Sequence, residues 1–332
     1  MIKRSLAHLF LVSLLASLFI ACGEDEAGEK SGDGGDLRNS FEAKVIYGED
    51  DRKDLYQVSD NRLLHLAKGT AVLMDSYNLE KSGNKYNVKA QSFKSQFNLC
   101  EGERFADQDS AGFCSGFLVG PQTLVTAGHC IRRTNDCNNA RFVFDYAISS
   151  KNAGSPKSVH ENQVYRCTKL IKSFVQSRGA DYAVVQLDRP VTGRTPLQFR
   201  TDGQIPTNAG LVVIGHPSGI PTKIAGGANV RGQDSGFFVA NLDTYGGNSG
   251  SAVFNSQTGL VEGILVRGER DFVYKGNCKI SNVCADNACR GEDVTRITEA
   301  VPYIPNSKKN RDVTKLLYKY LGFDVDPRQA VR

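Results

Sequence analysis

From Val45 onward the chain is broken into short runs of β-forming residues, each closed off by Gly, Asn, Asp or Pro. The runs are Thr70 to Met74, Gly116 to Val119, Leu124 to Ala127, Arg141 to Tyr146, Tyr182 to Leu187, Leu211 to Ile214, Phe237 to Asn241, Ser251 to Phe254 and Leu260 to Val266. That pattern predicts a β-barrel or sandwich protein. With 332 residues, 40% of them hydrophobic, the chain can bury a substantial core, which excludes a miniprotein held only by disulfides. One helix is expected near the end. There Val313, Leu316, Leu317 and Tyr320 recur at i, i+3, i+4 and i+7 behind a possible Asp312 cap, an apolar face suited to the last barrel. A frayed polar tail is the alternative, and no internal repeat is visible.

The N-terminus reads as an address. Lys3 and Arg4 precede an apolar stretch from Leu6 to Ile20 that meets Ala21 and Cys22, which predicts a signal peptide over residues 1–21 and export. Phe19-Ile20-Ala21-Cys22 resembles a bacterial lipobox, with Phe19 in place of the usual leucine. Lipidation of Cys22 would anchor the chain to a bacterial membrane, the outer one by the pattern of Gly23; an ordinary signal peptide with Cys22 as a spare thiol is the alternative. Residues 22–44 are rich in Gly, Glu, Asp and Ser and are expected to be a flexible linker or propeptide. Setting Cys22 apart leaves eight of nine cysteines, an even set that an exported protein would pair. The formal charge of +5 becomes +3 once Lys3 and Arg4 are removed, and nothing in it implies nucleic acid. No later apolar run approaches the roughly 20 residues needed to cross a bilayer.

Three segments carry chemistry, in the order His, Asp, Ser. Leu124 to Cys130 would deliver His129 at a strand end as a general base. Asp181 directly precedes the run Tyr182 to Leu187. Alone it reads as a turn residue; beside His129 it would orient the imidazole and stabilise its charged form. Gly246-Gly247-Asn248-Ser249-Gly250-Ser251 suits a nucleophile, Ser249, with the backbone N–H groups of Gly247 and Ser249 as oxyanion donors; alone it is equally a Gly-rich turn.

Together these segments resemble the trypsin and chymotrypsin superfamily of serine endopeptidases, most closely its bacterial glutamyl-endopeptidase branch, over roughly Val45 to Arg270. The resemblance implies an all-β fold of two perpendicular six-stranded antiparallel barrels over residues 45–305, followed by a helix and tail over 306–332. It implies a Ser249-His129-Asp181 triad, an acyl-enzyme and protein or peptide substrates. A metal-dependent hydrolase would need His65, His129, His160 and His216 to converge, but no His-Glu-x-x-His or Cys-x-x-Cys spacing is present, and no loop has the acidic density of a calcium site, so no cofactor or metal is expected. An inactive binding module on the same fold is the alternative. By the same likeness Cys114 is expected to pair with Cys130. Among the remaining six cysteines, Cys137 is expected to pair with Cys167; Cys278, Cys284 and Cys289 are expected to form a local cluster; and the partner of Cys100 is open. Lys44 before Val45-Ile46-Tyr47-Gly48 resembles an activation cleavage site, with an ordinary first strand as the alternative. His216 reads as a turn residue.

The chain departs from the family in ways that bear on function. Asn248 stands where the trypsin branch has an Asp, Val266 replaces a hydroxyl that supports the catalytic Asp, and the stretch from Asp75 to Gly112 is unusually long. For specificity the candidates are Asp243, six residues before Ser249, and Arg267 on the expected pocket wall. Either Arg267 turns inward to bind an acidic side chain or neutralise Asp243, or it turns outward and leaves Asp243 to attract a cation; Asp243 is alternatively a structural residue beside the pocket. A charged residue of undecided sign is expected before the scissile bond.

Overall fold

The computed structural model describes residues 45–305 and 317–323. The expectations at Cys22 and Lys44, and at Val313 and Leu316 of the terminal helix, lie outside the described residues. Twelve antiparallel strands close two six-stranded barrels. The first contains β1 (Thr70–Asp75), β2 (Cys114–Gly120), β3 (Thr123–Thr126), β4 (Ala140–Phe144), β5 (Val164–Val175) and β6 (Asp181–Leu187). Their order is β4-β5-β6-β3-β2-β1, with β1 back against β4. The second contains β7 (Gly210–Gly215), β8 (Lys223–Gln233), β9 (Phe237–Ala240), β10 (Ala252–Asn255), β11 (Val261–Arg267) and β12 (Glu292–Arg296). Here the order is β7-β10-β11-β12-β9-β8, closed by β7 on β8. Counted from its own first strand, each barrel has the same neighbours, so the topology repeats although the sequence does not.

The apolar runs of the second barrel are continuous because both faces of its strands are buried. Leu211 and Val213 of β7, Val253 of β10 and Leu265 of β11 fill the barrel. Their neighbours Val212, Ile214, Ala252, Phe254, Ile264 and Val266 turn the other way into a core shared with the first barrel. This is the period-2 alternation of a strand with apolar residues in both phases. At roughly 25 cal/mol per Å² of buried apolar surface, that shared core is what fixes one barrel against the other.

The long stretch before β2 is an added element. It holds a hairpin, Leu79–Ser82 with Lys85–Val88, extended by Ser158–His160, and a short helix, Phe93–Phe97. Phe93 packs on Phe97, Tyr245 and Phe272, so the addition is fastened to the segment that leads into Ser249. Four disulfides are present: Cys114–Cys130, Cys137–Cys167, Cys100–Cys278 and Cys284–Cys289. The open partner of Cys100 is therefore Cys278, which leaves the expected local cluster and ties the added element to the hairpin Phe272–Lys275 and Cys278–Ser281.

At the C-terminus residues 317–320 are helical, but the packed face differs from the expected one. Tyr320 is 87% exposed, whereas Tyr318 and Phe323 are buried in the shared core and the Tyr318 hydroxyl accepts from the Gln198 N–H. Among the described residues no helix is long and apolar enough to cross a membrane.

Candidate active site

His129 follows β3 and Asp181 opens β6, and these two strands are paired side by side with Ala183 opposite Thr126. The register brings the two candidate side chains together at one end of the first barrel. Asp181 Oδ2 lies 2.8 Å from His129 Nδ1, and its Oδ1 accepts from the His129 backbone N–H at 3.1 Å. One carboxylate thus holds both the ring and the main chain of the histidine. Asp181 is 1% exposed, and its own N–H donates to Thr295 Oγ1 of β12 at 2.9 Å. The second barrel thereby helps to place an aspartate of the first.

Ser249 sits in a turn built by its own hydrogen bonds: Asn248 N–H to Tyr245 O, Gly250 N–H to Leu265 O and Ser251 N–H to Asn248 O. Gly247 and Gly250 have φ of 84° and 89°, a left-handed conformation that disfavours other residues. A Cβ on Gly250 would also stand 2.1 Å from Ser115 O. The turn is clamped to the first barrel through Ser115, a residue that sequence reasoning missed. Ser115 N–H donates to Ser249 O at 2.8 Å, its hydroxyl donates to Gly247 O, and the same oxygen accepts from His216 N–H. Nothing about a serine between Cys114 and Gly116 announces this in the sequence. Cys130 Sγ, bonded to Cys114, lies 3.7 Å from Ser249 O, so the disulfide stands between the histidine loop and the serine turn. In the chain-entropy model a loop of 16 residues is worth about 3 kcal/mol.

Cys114, His129 and Cys130 bring their side-chain donor atoms within 4.8 Å of one another. Both sulfurs belong to the disulfide, so this group offers no thiolate to a metal. His216 is fully buried in its turn, 3.1 Å from Ile220 O, and burial pushes its pKa down to about 3. It stays neutral there and structural. A cleft of about 460 Å³ lined by Asp75, Tyr77, Lys89 and Ser110 belongs to the added element and includes neither His129 nor Ser249.

The two specificity candidates take other partners than each other. Asp243 accepts the backbone N–H of Tyr47 through Oδ1 and of Asp51 through Oδ2, both at 2.7 Å, and so fastens the N-terminal segment. Arg267 pairs with Asp293 at 3.1 Å, donates to Gly179 O and Gln176 O, and lies 3.9 Å from Asp181 Oδ2. It braces the loop that leads into Asp181. Where Val266 lacks the supporting hydroxyl, a guanidinium on the next residue faces the carboxylate instead.

Removing the Asp243 carboxylate leaves the buried Tyr47 N–H without its acceptor, at about 1–3 kcal/mol, and frees the partly buried Asp51 N–H as well. Asp243→Ala should therefore lower the thermal midpoint and expose the segment around Tyr47 to proteolysis; an unchanged midpoint contradicts the role. Burial pushes the Asp243 pKa up to about 7, so the folded protein holds this proton more tightly than the unfolded chain does. Its contribution to stability is greatest below the unfolded value near 4, falls as pH rises to about 7 and is flat beyond. Asp243→Asn should remove that portion of the slope in denaturant titrations between pH 4 and 7.

The model of the trypsin-like peptidase domain matches residues 114–264. The match runs from Cys114 through His129, Asp181 and Ser249 to Ile264. The chain is 28% identical over 166 residues to the glutamyl endopeptidase of Bacillus licheniformis, which covers 45% of this chain and 47% of that one, so it spans about half the length of this curated relative. Among solved structures, a Glu endopeptidase in complex with MPD aligns at 16% identity and TM-score 0.43, covering 82% of this chain and all of that one. An inactive mutant form of a protein from Mycobacterium tuberculosis H37Rv aligns at 14% identity and TM-score 0.42, covering 80% and 98%.

Proposed function

We propose that the protein is an exported serine endopeptidase that works through an acyl-enzyme. The observation that carries this reading is the double hold of Asp181 on His129 beside the clamped Ser249 turn. With Nδ1 donating its proton to Asp181, Nε2 is the basic nitrogen of the ring. Ser249 Oγ attacks the substrate carbonyl as its proton passes to Nε2. The carbonyl electrons move to oxygen, where the N–H groups of Gly247 and Ser249 receive the charge. Collapse breaks the C–N bond, and the proton on Nε2 leaves with the amine. Water, activated by the same nitrogen, then hydrolyses the acyl-enzyme. The Asp181 carboxylate stabilises the imidazolium at each proton transfer.

Labelling with a fluorophosphonate probe tests the reading, because the probe reacts with an activated serine whatever the natural substrate. Modification of Ser249 is expected. Its absence favours an inactive module on the same fold.

The same reading places the chain outside the cytoplasm, consistent with four disulfides. Lipid on Cys22 would hold it to a bacterial membrane, and cleavage after Lys44 would release a body beginning at Val45. Fractionation of the parent and Cys22→Ser proteins should show the parent alone with membranes; identical soluble behaviour removes the anchor from the proposal.

A further inference from the structure

Between β7 and β8 the chain makes a turn that the mechanism above does not use. Ser218, within it, has φ 48° and ψ 24° and is buried. A residue other than glycine is uncommon in this left-handed region, and such conformations persist only where the surroundings hold them. Three contacts hold this one. Ser110 Oγ donates to Ser218 O, and the N–H groups of Ala111 and Gly112 donate to Gly219 O at 3.0 and 3.2 Å. All three donors lie at the end of the long stretch before β2, where Ser110 is paired with Gln91 across two short strands, Gln91–Ser92 and Asp109–Ser110. The added element thus grips the turn by its backbone. The approach is close: a Cβ on Gly219 would stand 2.0 Å from Gly112 O.

The other side of the turn faces the segment that leads into Ser249. Ser218 N–H donates to Gly246 O, and a Cβ on Gly247 would stand 2.9 Å from Ser218 N and 2.7 Å from Gly219 N. Gly246 N–H donates to Asp271 Oδ2 at 2.8 Å, and Gly247 O accepts from the Ser115 hydroxyl at 2.8 Å. Three of the four main-chain polar groups of Gly246 and Gly247 are therefore engaged within the fold. The fourth, the Gly247 N–H, bonds to none of the described residues. A trans peptide is planar and carries its C=O and N–H on opposite sides. With the Gly246 carbonyl held by Ser218, the Gly247 N–H points the other way. Two glycines flank that peptide, so their own backbone preferences do little to fix its orientation.

We infer that Ser218 is a positioning residue for the oxyanion site: its N–H fixes the Gly246–Gly247 peptide so that the Gly247 N–H faces the reacting carbonyl, and the added element, through Ser110, fixes Ser218. The inference rests on the peptidase reading of Ser249 and adds to it a control of oxyanion geometry from outside the two barrels. A donor aimed beforehand costs no reorganisation when charge develops on the substrate oxygen, so its orientation bears directly on rate. Loosening the turn frees the peptide to rotate and lose that donor, while the bonds between Asp181 and His129 stay as they are.

The test reads the second-order rate at which a fluorophosphonate labels Ser249 in the purified protein, since the phosphoryl oxygen of the probe uses the oxyanion donors whatever the natural substrate. Ser110→Ala removes the hydroxyl that holds Ser218 O and should slow labelling roughly tenfold. Ser218→Val puts a β-branched residue in a left-handed conformation, which should displace the turn and slow labelling about 100-fold, the effect of losing one oxyanion donor. Ser110→Thr keeps the hydroxyl and has the added element's cleft beside it for the methyl, and Ser218→Gly keeps the N–H at a φ it adopts freely; both should recover the rate. In the slow variants the pH profile of labelling should keep the parent's shape. Ser110→Ala labelled at the parent's rate overturns the inference, whatever Ser218→Val does and whether or not it folds. So does a loss that Ser110→Thr fails to recover, or one that shifts the pH profile, which traces the defect to the histidine instead. If the parent is labelled on Ser249 and Ser110→Ala is unaffected, the peptidase reading stands and only the role of Ser218 falls. No labelling of the parent and no cleavage of any peptide overturn both.

Discussion

Ser249→Ala should lower kcat by about a millionfold, and His129→Ala by a comparable factor, because in the proposed mechanism the two act as one unit in proton transfer and removing either disables the same step. Asp181→Asn should cost about ten-thousandfold. The reason is specific to the geometry. Asp181 receives both the ring Nδ1 and the backbone N–H of His129, and an amide turned to accept from the backbone would present its NH₂ to the ring. That favours the tautomer with the proton on Nε2, the nitrogen needed as base. Single-turnover kinetics, with circular dichroism to show that the variants stay folded, check all three. Activity within tenfold of the parent in any folded variant contradicts its assigned role. Kinetics also separate the triad from its supports: a change at Arg267, 3.9 Å from Asp181, acts through the aspartate and should alter the pH profile more than the maximal rate.

Much of the fold was legible because each strand with apolar residues announces itself. The three that did not are informative. Val164–Val175 carries Arg166 and Lys169 on exposed positions and Lys172 half-buried, and Lys223–Gln233 is diluted by Gly226, Gly227 and Gly232. Glu292–Arg296 is fully buried yet reads Glu-Asp-Val-Thr-Arg, because its polar residues are paired inside the protein: Glu292 with Thr244, Asp293 with Arg267 and Thr295 with Asp181. Sequence patterning treats such residues as turn or surface, and only tertiary partners reveal them as core. The strand that supports the site most was therefore the hardest to see. Asp181 was readable only in the company of His129. The orientation of Arg267 was not readable at all, since the pairing of β11 with β12 shifts register between Leu265 and Arg267 and breaks the alternation that would have told in from out. The bond between Cys100 and Cys278 spans 178 residues, a distance over which cysteine spacing carries no pairing information.

The largest expected loss of stability is at Glu262 of β11, the partner of Arg200 in the segment that crosses from the first barrel to the second. Glu262 is 1% exposed and takes Arg200 in a two-point bond, Nε to Oε2 at 2.5 Å and NH2 to Oε1 at 2.9 Å. Burial works against the Arg200 charge, and the Glu262 carboxylate more than restores it, holding the guanidinium pKa above its usual value. The pair also aligns the crossing segment with β11: Arg200 N–H donates to Val261 O, and Val261 N–H to Gln198 O. Glu262→Ala removes the two-point partner of a buried guanidinium, which costs about 3–5 kcal/mol. That is a large share of the 5–15 kcal/mol by which domains are usually stable. The denaturation midpoint should fall accordingly. Replacing both partners, Arg200→Met with Glu262→Leu, removes the charge along with its counter-charge and should recover most of the loss. A double variant no better than Glu262→Ala would mean that the alignment of the crossing segment, rather than the buried charge, is what the pair supplies.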